Sequence, residues 1–254
     1  MAAVISVAFF LIPLLALVVR APWSSIGHEL RTPQIRTALR LSLECSLSAT
    51  AAAIVLGTPM AWLLARVSFP GRSVVRTLTT LSMVLPPVVS GFALLLAFGR
   101  RGLVGQYLYQ WFGVQLPFST AAVIIAETFV SMPFFVLTLE GAFRSTDRRF
   151  EDAAFTLGAS RWTTFRRITV PAIAPSLVAG AVLAWARALG EFGATITFAG
   201  NFPGRTETMP LAVYLAFETD PNAAILLSLS LVVTSFVVLF ALRARWLGAL
   251  GVES

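Results

Sequence analysis

Three charged residues stand where a charge is costly. Glu127, Arg187 and Glu191 all fall inside long apolar stretches. An isolated charge at bilayer depth costs about 2.5–3.5 kcal/mol on insertion scales, so such groups pair, bond locally or face the inside of a bundle. Arg187 and Glu191 are one helical turn apart and can pair. That spacing leaves two roles open: an ion pair that orients its helix against neighbours, or an element of a pathway or gate. A cation beside a route would favour an anion, and Glu191 would oppose one unless paired. Glu127 precedes Ser131 by four residues and Pro133 by six. It is either a proton-relay group or a hydrogen-bonded structural carboxyl, with neither Lys nor His on its helix to continue a relay.

Other chemistries are excluded by count. All 19 basic residues are Arg, and the chain has no Lys. A phosphate-binding loop of the G-x-x-x-x-G-K-[ST] type needs its Lys to reach the outer phosphates, so any ATP that drives this protein binds another polypeptide. One cysteine, Cys45, and one histidine, His28, rule out an intrachain disulfide and a Cys/His zinc site. A Ser–His hydrolase would need His28, which lies in a polar loop. A di-acid centre from Glu127 and Glu191 lacks an accompanying G-x-G-D signature. The expectation is a chain with no catalytic site, no metal site and no cofactor of its own.

The elements that must position these residues follow from hydropathy. Hydrophobic residues make up 57% of the 254, charged residues 12%, and mean hydropathy is +0.83. A soluble domain is about one quarter charged. Six stretches match the length needed to cross a core of about 30 Å: residues 2–19, 41–65, 77–98, 119–142, 175–198 and 223–242. The fold class is therefore all-α, a polytopic membrane bundle of about six helices forming a single domain over 1–254. The first stretch lacks the basic flank and cleavage site of a signal peptide and is kept as a helix. The Arg residues cluster between the spans and next to their ends, a topology signal rather than a nucleic-acid face. Eleven lie on the side shared by both termini and seven in the opposite loops, which places the termini in the cytoplasm. No inverted internal repeat is evident, which counts against a two-halved secondary carrier.

Within the spans, Pro86-Pro87 removes two donors from the third helix and kinks it, with Ser90 and Gly91 beside the kink. Gly190 and Gly193 bracket Glu191 in the fifth. They serve close helix approach or a local break lining a cavity, and Thr195 follows with a hydroxyl.

The segment 150–171 between the fourth and fifth spans is too polar to cross and too patterned for a plain loop. Phe150, Ala153, Ala154, Leu157, Trp162, Phe165 and Ile168 recur at spacings of three to five. Gly158 interrupts the pattern, so two short helices should meet at an angle. Glu151 and Asp152 suit a first turn, Arg166 and Arg167 a last turn, and Pro171 ends the run or opens the next helix. The segment is either an amphipathic helix lying on the leaflet or a docking element that transmits force from a cytoplasmic partner.

The stretch D-A-A-x-x-x-G from Asp152 to Gly158, followed by Ile168-x-x-Pro171, resembles the E-A-A…G…I-x-L-P signature of ABC-importer permeases. Asp152 replaces the usual Glu, and Val170 the usual Leu. Residues 186–195 and 198–201 resemble the fifth helix of molybdate and sulfate permeases, and 203–212 lean towards molybdate. The similarity spans about Leu39 to Ala241. It implies a type I ABC-importer permease that carries a tetrahedral oxyanion, most of all molybdate, with sulfate, thiosulfate or tungstate as alternatives, across a bacterial cytoplasmic (inner) membrane. It further implies a homodimer, two cytoplasmic P-loop ATPase subunits holding ATP-Mg, and an extracytoplasmic oxyanion-binding protein. The ATPase-coupling residues would be Glu151, Asp152, Ala153, Ala154, Leu157, Gly158, Arg161, Trp162 and Phe165. The path or gate would draw on Pro86, Pro87, Ser90, Gly91, Arg187, Glu191, Gly193 and Thr195. An ion-coupled carrier built on Glu127, Arg187 and Glu191 is the competing class, although it has no need of a docking helix.

Overall fold

The computed structural model describes residues 1–24, 27 and 32–249, with the backbone alone at residue 2 and at 241–249. His28 and Arg31 lie outside the described residues. Among those described there is no strand. The helices are α1 (Ala2–Arg20), α2 (Pro33–Arg66), α3 (Arg72–Val84), α4 (Pro87–Phe98), α5 (Gly105–Phe112), α6 (Thr120–Ser145) and α7 (Arg149–Thr156). After these come α8 (Arg161–Thr164), a π-helical turn (Phe165–Thr169), α9 (Val170–Leu189), α10 (Gly193–Ala199), α11 (Met209–Thr219) and α12 (Pro221–Ala249).

Five of the described spans are long and apolar enough to cross a membrane, and a sixth arises if α3 and α4 count as one. That pair is bent by 119°, where the sequence predicts only a kink. The cause is local. A residue before proline is pushed out of the α region, and Leu85 and Pro86 each precede one. Both are extended, with ψ 134° at each, so the helix stops and restarts. The fifth span is also broken: α9 ends at Leu189, and α10 begins at Gly193. The second span starts eight residues earlier than expected. Gln34, Arg36 and Arg40 hide the helix from hydropathy, but Ile35 and Ala38 give it a packed face.

Two compact units share the chain. One comprises residues 45–199. In its core, Phe135, Val136, Leu139 and Phe143 of α6 meet Ile173 and Ala184 of α9 and Ala53, Ala61 and Leu64 of α2. Gly57 permits the approach, since a Cβ there would lie 2.8 Å from the Phe135 ring. The other unit comprises residues 1–44 and 200–254. There Ile35 and Ala38 pack on Met209, Ala212 and Leu227, and the Met209 N–H donates to Ser42 Oγ at 2.7 Å. The faces left open are apolar: Ile5, Phe9, Phe10, Phe236 and Phe240 are all exposed. Water would penalise such a surface and lipid does not.

Candidate functional site

The segment after α6 is built from two helical pieces hinged at a glycine, as its pattern predicts. Glu151 and Asp152 occupy the first turn of α7. Gly158 takes φ +82°, a left-handed conformation that side chains with a Cβ adopt at a cost. Ser160 caps α8 by accepting the Thr163 N–H at 3.2 Å. Pro171 takes the second of its two expected roles, in the first turn of α9, and Arg166 and Arg167 stand in the last turn of the π-helical piece. The join is continuous, so Arg161–Leu189 runs as one 29-residue span. Proline normally clashes with the carbonyl four residues earlier. Here a π turn widens the ladder, and the Val170 N–H donates to Phe165 O, five residues back.

The hinge is tied to the bundle by polar contacts. Glu151 accepts from Arg66 Nη2 at 3.3 Å and from the Thr169 hydroxyl at 2.9 Å, so one carboxylate joins α2, α7 and the π turn. Ala154 is buried beneath it. Phe150, Ala153 and Leu157 face outward, as do Asp152, Arg161 and Trp162. Leu157 is 88% exposed and Trp162 69%, and Trp162 stacks on Phe165 with centroids 5.8 Å apart. Sequence reasoning missed Arg66, which it counted only as a topology charge. It also missed Glu140, buried near the end of α6 and bonded by Arg76 and by Arg144 at 2.9 Å. The i,i+4 spacing of Glu140 and Arg144 was a usable signal.

A second set of predicted residues meets where α4, α6 and α10 pack. Arg187 Nη1 and Glu191 Oε2 pair at 2.6 Å, with the Glu191 side chain 1% exposed and that of Arg187 30%. The other Glu191 oxygen accepts the Ala194 N–H at 2.7 Å. The acid therefore caps α10 while it anchors the end of α9, and each free carboxylate oxygen has a partner. Both predicted glycine roles occur here. The chain breaks at Gly190, and Gly193 meets α4 so closely that a Cβ would lie 2.6 Å from Pro87 Cβ. Gly91 answers from the other side, 2.6 Å from the Ala194 carbonyl by the same measure. Pro87, Gly91 and Gly193 thus belong to one contact, Ser90 and Thr195 are buried on the two helices that make it, and Pro86 stands at the break.

Several buried polar atoms here have no hydrogen-bond partner: Ser90 Oγ, Ser131 Oγ, Thr195 Oγ1, Trp185 Nε1 and one oxygen of Glu127. Such groups are uncommon in packed interiors. Among the described residues, no group of three or more His, Cys, Asp or Glu side chains could hold a metal.

Residues 53–249 match the binding-protein-dependent transport system inner membrane component family. The chain belongs to that family. It is 48% identical over 245 residues to the molybdenum transport system permease protein ModB of Mycobacterium tuberculosis, covering 96% of this chain and 92% of that one. ModB of Escherichia coli K12 is 40% identical over 85% of this chain and 94% of its own length. The sulfate transport system permease protein CysT of Escherichia coli K12 is 35% identical, over 92% and 85%. Among solved structures, a bacterial ABC transporter that imports alginate matches with TM-score 0.75 at 17% identity, covering 97% of this chain and 92% of that one. The MetNI methionine ABC transporter matches with TM-score 0.59 at 13% identity, over 92% and 96%. These two establish the fold, that of a multi-pass ABC-importer permease.

Proposed function

We propose that this chain is the membrane subunit of an ATP-driven importer of molybdate, working as a pair of copies with two cytoplasmic ATPase subunits and an extracytoplasmic oxyanion-binding protein. The observation that carries the substrate is the 48% identity to a molybdenum permease along 96% of the chain. Lower identity to a sulfate permease keeps tetrahedral dianions as the class and sulfate and tungstate as the competitors. The permease has no catalytic site in this reading, and ATP-Mg belongs to the partner, consistent with a chain that has no Lys. The Arg balance favours a cytoplasmic side for the termini and the α7–α8 hinge.

The geometry supplies a transmission. Exposed Phe150, Ala153, Leu157 and Trp162 would seat on the ATPase subunit. The hinge continues through the π turn into α9, and 29 residues of helix extend about 43 Å. That is enough to carry a displacement across the bilayer to Glu191 and the α4–α10 contact. ATP binding at the distant subunits then biases a two-state bundle. The reading is tested by reconstituting the chain with its ATPase and binding protein. Molybdate should stimulate ATP hydrolysis and uptake well above sulfate. Uptake under an ion gradient with no ATPase present would replace the reading with a secondary carrier.

A further inference from the structure

Behind the coupling hinge lies a cavity of about 1010 Å³ whose lining takes in Glu151, Asp152, Arg161, Trp162 and Phe165 of the coupling segment but reaches past it to Ile54, Val55 and Pro59 of α2. Its lining changes character along its length. Ile54, Val55 and Pro59 of α2 give one apolar end, Trp62 follows them along the helix, and Trp162 of α8 also lines the space. Arg66, Arg148 and Arg161 gather at the other end, with Glu151 and Asp152 among them. Glu151 is already engaged by Arg66 and Thr169. Arg66 is only 8% exposed, and its Nε, buried against the cavity, has no acceptor. A buried guanidinium N–H without a partner calls for one.

The geometry points to a binding site for one anionic phospholipid, its phosphate held by Arg66, Arg148 and Arg161 and an acyl chain laid along Ile54, Val55 and Pro59. Depth favours lipid over a water-soluble partner. Ile54 and Arg66 are twelve residues apart on α2, a rise of about 18 Å, against about 15 Å for one leaflet of hydrocarbon. The apolar end therefore sits at acyl depth and the Arg cluster at headgroup depth, with Trp62 at the boundary such residues prefer. Basic pockets between helices on the cytoplasmic side suit acidic headgroups. The site shares Glu151, Phe155, Arg161 and Trp162 with the hinge and leaves Phe150, Ala153 and Leu157 free for docking. A seated lipid would brace the hinge, and the inference does not depend on which anion is carried.

Native mass spectrometry of the assembled complex, purified with equal amounts of dioleoylphosphatidylglycerol and dioleoylphosphatidylcholine, reads the site directly. Phosphatidylglycerol should be retained in preference to phosphatidylcholine, and R148Q should cut that preference about fivefold. Arg148 is exposed and lies outside the coupling residues, so the variant should assemble. V55W, which keeps every charge but fills the acyl end, gives a second route and should also release the lipid. Equal retention of the two lipids, or undiminished preference in R148Q and V55W, overturns the assignment. A photocrosslinker at position 55 should label phospholipid; labelling of the ATPase subunit or a second copy instead would give the cavity to a protein and overturn it equally.

Discussion

Gly158 and Gly193 are both glycines at breaks between helices, yet they are needed for opposite reasons. At Gly158 a Cβ would meet nothing within 4 Å, but φ is +82°. At Gly193 φ is unremarkable, but a Cβ would fall 2.6 Å from Pro87. The hinge after α6 needs a backbone conformation, whereas the intramembrane contact needs space. One region is open and exposes its apolar side chains. The other is so closely packed that two helices touch through glycine. The difference separates an open, exposed surface from a seam built at van der Waals contact.

The seam should be the more fragile. Gly193→Leu drives a side chain into Pro87 with no open direction, and overpacking of this kind costs about 3 kcal/mol. Thermal unfolding in detergent should show the loss, and an unchanged midpoint would mean that α4 and α10 can part easily. Glu191→Gln comes next. It keeps an oxygen for the Ala194 N–H but removes the charge opposite Arg187, for about 2 kcal/mol. Losing one partner of a fully buried pair costs more than that, and Arg187 is partly exposed.

The hinge should respond to residue type rather than size. Gly158→Val must hold a β-branched residue at positive φ, costing about 1–2 kcal/mol. It should insert normally and lose most ATP-driven uptake. Gly158→Asn, which tolerates the left-handed region, should keep most of it. Equal loss in both variants would replace backbone conformation with lost contact space at the ATPase surface.

The same contrast explains what was legible in the sequence. Period and hydropathy revealed the spans, and Gly158 in a polar amphipathic stretch revealed the hinge, because these are local signals. The break at Leu85–Pro86 was visible as two prolines, but its depth depends on both pre-proline restrictions acting in succession. Pro171 suggested a helix boundary, and the π turn that absorbs it depends on ladder geometry that residue types do not encode. The Arg66–Glu151 and Arg76–Glu140 pairs were missed because their members lie 85 and 64 positions apart. The α2 extension was masked because its polar residues face outward while Ile35 and Ala38 pack against Met209 and Ala212.

The smallest expected change in stability is the sharpest test of function. Ser90 Oγ is buried without a partner at the α4–α10 seam. Ser90→Ala removes only that hydroxyl, opens almost no cavity and should shift stability by less than about 0.5 kcal/mol, or raise it. A group kept for packing has no reason to be an unpartnered hydroxyl. If the seam opens during transport and offers its hydroxyls to the anion or its water, S90A should lower molybdate uptake several-fold with the unfolding midpoint unchanged. Thr195→Val should do the same from α10. Uptake equal to that of the unmodified protein in both variants would assign the seam to architecture and leave the route elsewhere in the bundle.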